Sequence, residues 1–227
     1  MDKIVTIHQP NYLPWLGFFS KIKQANCFVI LDIVKYSKNS VINRNKIRTK
    51  EGGCYLTIPI NKEYYSSRIC DVILPKENNW QRNHWKTIEA NYNNSDYFDS
   101  YKDFFKLIYA KEYDYLWQVN ENIINYLLNC FGIEIEVVKA SELDIDSNLH
   151  ASDLLVSILK HVNASTYLSG PSGLNYLEST KFKNNNINLN YFNFHHPIYK
   201  QRYNGFEPNL AGIDLLFNLG EKSKELI

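Results

Sequence analysis

Two short apolar runs separated by one helical stretch constrain the fold more than any other feature of this chain. Residues 3–7 (Lys-Ile-Val-Thr-Ile) are β-branched enough for a buried strand, and residues 27–31 (Cys-Phe-Val-Ile-Leu) form a second one ending at Asp32. Residues 18–25 between them carry a helical pattern. Strand, helix and strand make a βαβ unit, which predicts a parallel sheet with a right-handed crossover. The first strand delivers His8-Gln9 into a loop with two prolines, Pro10-Asn11-Tyr12-Leu13-Pro14-Trp15, before the helix opens. Open α/β sheets bind ligands at such strand ends. The plainer reading is a rigid, proline-fixed connection whose aromatics belong to the core.

The chain has 227 residues, enough for one domain with a large core that needs neither disulfides nor metal to hold it. Its formal charge of +1 gives no overall attraction to nucleic acid or acidic lipid, so neither is expected as a partner. Cys27, Cys54, Cys70 and Cys130 are far apart and form no CxxC pair, which argues against a structural zinc or a disulfide framework. There is no leader-like N-terminus and no run as long as a membrane span, so a cytoplasmic protein without membrane insertion is expected. The 17 tyrosines suit a cleft that stacks on a polar ligand, although codon bias explains them equally well.

The stretch from Lys35 to Lys50 is polar and basic with no acid, and Gly52-Gly53 turns it into the strand-like 54–60. Residues 41–60 therefore read as a β-hairpin, and 71–74 as a shorter strand. Residues 79–131 read as a helical subdomain inserted between two α/β halves, with Gly132 as a natural C-cap. A strand at 134–139, a helix opened by Ser152-Asp153, a strand at 166–168, a helix at 179–183 and a strand at 189–194 complete the pattern. The expected class is α/β, within a single domain over 1–227. It combines a mostly parallel sheet, flanking helices, a hairpin after the second strand and the helical insertion.

Four polar clusters follow expected strands: His8-Gln9, Asp32 with the basic stretch, Ser169-Gly170-Pro171-Ser172-Gly173, and His195-His196. In a parallel sheet they gather at one edge. His8 and His196 are the candidate general acids or bases, since imidazole works near neutral pH with little tuning. Arg44 suits a phosphate or carboxylate, with Asn43 supplying amide hydrogen bonds. Lys46, Arg48 and Lys50 read as a solvated hairpin face. Ser169, Gly170, Ser172 and Gly173 form either a plain turn or a loop that closes on an anion; the run is neither a Walker A loop nor a nucleophile elbow. His84, His150 and His161 read as surface or capping residues, and Cys27 and Cys130 as core. No metal site is expected.

Several strings together resemble the WbqC-like proteins. They are His8-Gln-Pro-Asn-Tyr-Leu-Pro-Trp-Leu-Gly-Phe-Phe19, Asn43-Arg-Asn-Lys-Ile47, Tyr167-Leu-Ser-Gly-Pro-Ser-Gly173 with Tyr176-Leu177, His196-Pro197 with Tyr199 and Gln201, and Asp214-Leu-Leu-Phe-Asn218. They occur in order from residue 4 to about residue 220, with a departure at Ala211-Gly212. The resemblance implies a bacterial protein of O-antigen, capsule or lipopolysaccharide-type polysaccharide biosynthesis. It further implies transfer of an acyl or aminoacyl group, such as glycine, to a nucleotide-linked amino sugar, with an amino-acid or acyl donor as second partner. In that reading His8 is the acid/base, Gln9, Asn11 and Tyr12 orient substrate with Asp32 nearby, and His196, Tyr199 and Gln201 close the far wall. A looser likeness to nucleotidyltransferases and pantothenate synthetase brings ATP into view as a cofactor. The HxGH histidines of those enzymes are absent here, where Trp15-Leu16-Gly17-Phe18 stands instead. The alternative function is a non-catalytic nucleotide-sugar-binding or assembly protein of the same pathway.

Overall fold

The computed structural model describes residues 2–76 and 79–227; Met1, Glu77 and Asn78 lie outside them. The chain runs through β1 (Ile4–His8), α1 (Leu16–Lys23), β2 (Cys27–Ile30), β3 (Arg44–Thr49), β4 (Gly52–Thr57), α2 (Trp80–Tyr92) and α3 (Phe98–Ala110). It continues with α4 (Leu116–Cys130), β5 (Glu136–Lys139), α5 (Ala151–His161), β6 (Thr166–Ser169), α6 (Ser179–Asn184), β7 (Asn188–Tyr191) and α7 (Gly212–Leu219). Two compact units result. The first holds residues up to Gln9, Ser20–Ile33 and Glu134–His195; the second holds Pro10–Phe19, Val34–Ile133 and His196–Ile227. No helix of the described residues is long and apolar enough to cross a membrane.

The first unit contains a five-stranded sheet in the order β5-β2-β1-β6-β7. Every pair is parallel, with Val5 opposite Cys27 and Ile4 opposite Thr166. The α/β class read from the sequence is therefore the observed one. Burial follows composition: the apolar middle of β1 and all of β2 and β6 are buried, as central parallel strands require. The edge strands β5 and β7 carry the more polar sequences Glu-Val-Val-Lys and Asn-Leu-Asn-Tyr. α6 lies against α5 and β7, and its Phe182 ring stacks on Tyr167 of β6 at 5.7 Å. Strand order reverses at β1: the chain builds outward through β2 and β5, then returns to β6 on the other side. That reversal leaves a switch point between β1 and β6, where such sheets accept ligands.

The second unit packs the antiparallel hairpin β3-β4 with α2, α3, α4 and α7. Phe217 of α7 is its aromatic hub, with the rings of Tyr92, Phe98 and Phe105 all within 5.5 Å. α4 stops because Gly132 adopts φ +65° and Ile133 N–H donates to Leu128 O while Gly132 N–H donates to Asn129 O. That is the glycine-dependent Schellman ending.

Three sequence expectations change. Residues 71–74 are not a strand: a 3-10 turn covers Ile69–Asp71, and Ile73 makes an isolated bridge to Tyr115. β7 ends at Tyr191 rather than 194, so His195 follows three residues of irregular chain. The opening helix starts at Leu16, two residues earlier than its pattern suggested, directly after Trp15, which bridges to Ala211.

Candidate functional site

In the first unit, the strand ends carry the polar groups expected of them. His8 closes β1 half-buried, and its Nδ1–H donates to Gln9 O at 3.0 Å. A carbonyl only accepts, so this bond fixes the tautomer and leaves Nε2 as the accepting nitrogen. Burial, and after it the positive charge of Lys21, pushes His8 down to about 3, so the ring is neutral at physiological pH. Asp32, after β2, is buried and accepts both Ser141 N–H at 2.9 Å and Ser141 Oγ–H at 2.6 Å. This ties the end of β2 to the turn that follows β5. Ser169 closes β6 buried, its Oγ–H on Gly170 O at 3.1 Å. Gly173 N–H donates to Gly170 O, so the Ser-Gly-Pro-Ser-Gly run is a tight turn with Ser172 exposed. A side chain at Gly173 would meet Ser169 Oγ at 2.3 Å, which explains the glycine. His195 is exposed beside Asn193.

The second unit places the other expected site residues, many of them buried. Tyr12 is fully buried; its hydroxyl lies 2.8 Å from His84 Nδ1 and 2.5 Å from the Tyr109 hydroxyl. His84 is thus no surface residue: it is enclosed between Trp80, Tyr109 and Tyr12, and burial pushes it down to about 4. Asn11 and Asn43 are buried with their Oδ1 atoms unpartnered, while Asn43 Nδ2 donates to Ile58 O at 2.8 Å. The proline-rich loop is fastened by Asn120 Nδ2 on Pro10 O and Ile42 O, and by Asn45 Nδ2 on Leu13 O.

Tyr199 and Gln201 belong to a buried knot around Asp214. Tyr199 OH and Gln201 Nε2 donate to Asp214 Oδ2 at 2.7 and 3.1 Å, and Tyr92 OH donates to Oδ1 at 2.8 Å. Burial raises the Asp214 carboxyl while these three bonds oppose the rise. Arg48 is also buried rather than solvated, its guanidinium donating to Thr49 O and Asn204 O. His196 is held at both ring nitrogens: Nδ1–H donates to Pro197 O at 2.8 Å and Nε2 accepts Asn209 N–H at 3.1 Å.

One cavity of the second unit has the character of a ligand site. It encloses about 390 Å³ and is lined by Trp15, Val41, Arg44, Lys46, Tyr55 and Asn209, among others. The Arg44 guanidinium lies 4.7 Å from the Tyr55 ring centre and has no carboxylate partner among the described residues. Lys46 Nζ is 3.5 Å from Glu207 Oε1. Trp15 folds back over Gly17, where a Cβ would lie 2.4 Å from the indole. Two aromatic faces beside two cations suit a sugar or base ring carrying phosphate.

Sequence reasoning singled out Arg44, read Lys46 as a solvated hairpin face and gave Trp15 and Tyr55 no role of their own, because the partners of such residues are set by tertiary packing. It also passed over Lys21, which sits three residues after Phe18 on the buried side of α1 and is itself buried. A lysine at an apolar helical spacing was the available signal.

The model of the WbqC-like protein family matches residues 9–226. The uncharacterized protein Rv1507c of Mycobacterium tuberculosis is 29% identical over 228 residues, covering 99% of this chain and 97% of that protein. No solved structure matches the chain.

Proposed function

The chain belongs to the WbqC-like protein family, and from that premise we propose that it serves bacterial surface-polysaccharide assembly in the cytoplasm by acylating the amine of a nucleotide-linked amino sugar. The observation that carries this reading is the cavity of Trp15, Tyr55, Arg44 and Lys46, built from residues of the matched family region. The aromatic walls hold the sugar or base by stacking, and Arg44, which has no carboxylate partner among the described residues, holds phosphate oxygen. Lys46 adds a second positive charge, shared with Glu207.

In the reaction, the sugar amine attacks the carbonyl carbon of an activated acyl or aminoacyl donor. A carbon–nitrogen bond forms, the bond from the acyl carbon to its leaving group breaks, and the amine gives up one proton. That proton leaves with the departing group. Asn11, Tyr12, Asn43, Tyr199 and Gln201 hold the frame, since their polar atoms lie in the interior of the second unit.

The binding-only reading draws on a specific observation: His8, the candidate base named by the sequence, is pushed down to about 3 and is a weak base. Product mass separates the two. Wild-type protein is incubated with UDP-linked amino sugars and aminoacyl or acyl-thioester donors, with and without ATP, and the sugar nucleotides are weighed. Acyl transfer predicts a gain of one acyl group, lost together with sugar-nucleotide binding in Arg44→Ala. Binding without any mass gain across the donor panel would contradict catalysis.

A further inference from the structure

We infer that Lys21 binds an oxyanion, a phosphate or carboxylate, at the carboxyl end of β1. The inference is independent of the acyl-transfer reading and of the second unit's cavity. Lys21 lies in the last turn of α1, in the first unit, with 4% of its surface exposed. Its ammonium has three donors, and the structure gives it one acceptor, Ile7 O at 3.3 Å. No carboxylate pairs with it among the described residues. An interior ammonium facing only a neutral carbonyl is costly, and a methionine of similar length would fill the same space without that cost. A chain that keeps the charge there has a use for it.

The location supplies the use. Ile7 is the penultimate residue of β1, the strand at which the sheet order reverses. The half-buried His8 that follows is neutral, so it adds no second positive charge beside the ammonium, and its one N–H is already given to Gln9 O. Burial alone lowers Lys21, to about 8, with no carboxylate contribution opposing it. The ammonium is therefore largely charged at neutral pH and lacks a counter-ion of its own. An entering oxyanion provides one, and accepts the two remaining N–H donors.

The test uses the full chain as wild type, Lys21→Met, Lys21→Gln, and two controls, Lys23→Met and Arg44→Ala. Thermal unfolding is followed with added inorganic pyrophosphate, or acetate, at matched ionic strength. Wild type and both controls are expected to gain roughly 5 °C at a hundredfold excess of the anion over its Kd. The Lys21 variants are made in the Arg44→Ala background, which removes the phosphate contact of the second unit's cavity; there both are expected to gain nothing, and without anion Lys21→Met unfolds no lower than its Arg44→Ala parent. A response to pyrophosphate alone identifies a phosphate group, and one to acetate alone a carboxylate. The inference is overturned if wild type responds to neither anion, or if the Lys21 variants respond as wild type does. It is also overturned if Lys21→Met and Lys21→Gln both fail to fold while Lys21→Arg folds without an anion response, which would make the charge structural. Loss of the anion response in Arg44→Ala would instead move the anion to the second unit's cavity.

Discussion

At the level of single residues, what organises the second unit is a carboxylate with every neighbour arranged to donate to it. Asp214 receives Tyr92, Tyr199 and Gln201, and Gln201 in turn exchanges hydrogen bonds with the Glu207 backbone. Asp214→Asn replaces one acceptor oxygen with a donor that faces a tyrosine hydroxyl or the glutamine amide. We expect a loss of about 2–4 kcal/mol, read by urea denaturation, because a buried donor is left facing a donor. Tyr199→Phe removes one neutral-to-charged bond and is expected to cost less, about 1.5–3 kcal/mol. The sequence presented Tyr199 and Gln201 as polar residues suited to a ligand wall. That these side chains turn inward depends on Asp214, fifteen and thirteen residues further on, and no local pattern announces it.

At the level of elements, the central strands were legible because burial on both faces leaves β-branched and aromatic runs, as in β1, β2 and β6. α4 was legible too, from its apolar rhythm and from Gly132. Replacing that glycine tests the reading. Gly132→Ala forces a Cβ into the left-handed region and is expected to cost about 1 kcal/mol of stability in chemical denaturation. Elements set by distant partners were not legible. The apolar run 71–74 looks like a strand, yet a strand needs a ladder, and among the described residues the run makes a single bridge, Ile73 opposite Tyr115, carried by Leu116 N–H on Val72 O and Leu74 N–H on Asp114 O. α7 reads Gly-Ile-Asp-Leu-Leu-Phe-Asn-Leu and is buried on nearly every side, so it lacks the polar face that marks a surface helix. Arg48 is similar: its charge reads as solvent-exposed, and the carbonyls that hold it come from Thr49 and Asn204.

At the level of the whole molecule, the two lowered histidines and the lowered lysine make stability depend on pH in a signed way. His8 and His84 fall to about 3 and 4 in the folded chain, so the unfolded chain binds their protons first. Stability from this source is present above about pH 6.5 and is lost as pH falls from there toward 4 and 3. Lys21 falls to about 8, while an unfolded lysine stays protonated up to about 10.5. Between those values the folded lysine has already shed its charge, so its contribution makes stability rise with pH. Melting curves of wild type and Lys21→Met between pH 7 and 10.5 check this: the gap between them should narrow as pH rises. A gap of constant size would mean that Lys21 is not an uncompensated interior charge.

The chain belongs to the WbqC-like protein family, and the proposed function rests on the cavity of Trp15, Tyr55, Arg44 and Lys46. The most direct measurement is the affinity of nucleotide-linked amino sugars for wild type and for Arg44→Ala, by titration calorimetry at physiological salt. The account predicts saturable binding to wild type, weakened at least about tenfold in Arg44→Ala, as expected for the loss of one charged hydrogen bond to phosphate. Equal affinity in the two proteins, or no binding of any nucleotide-linked amino sugar to wild type, would contradict it.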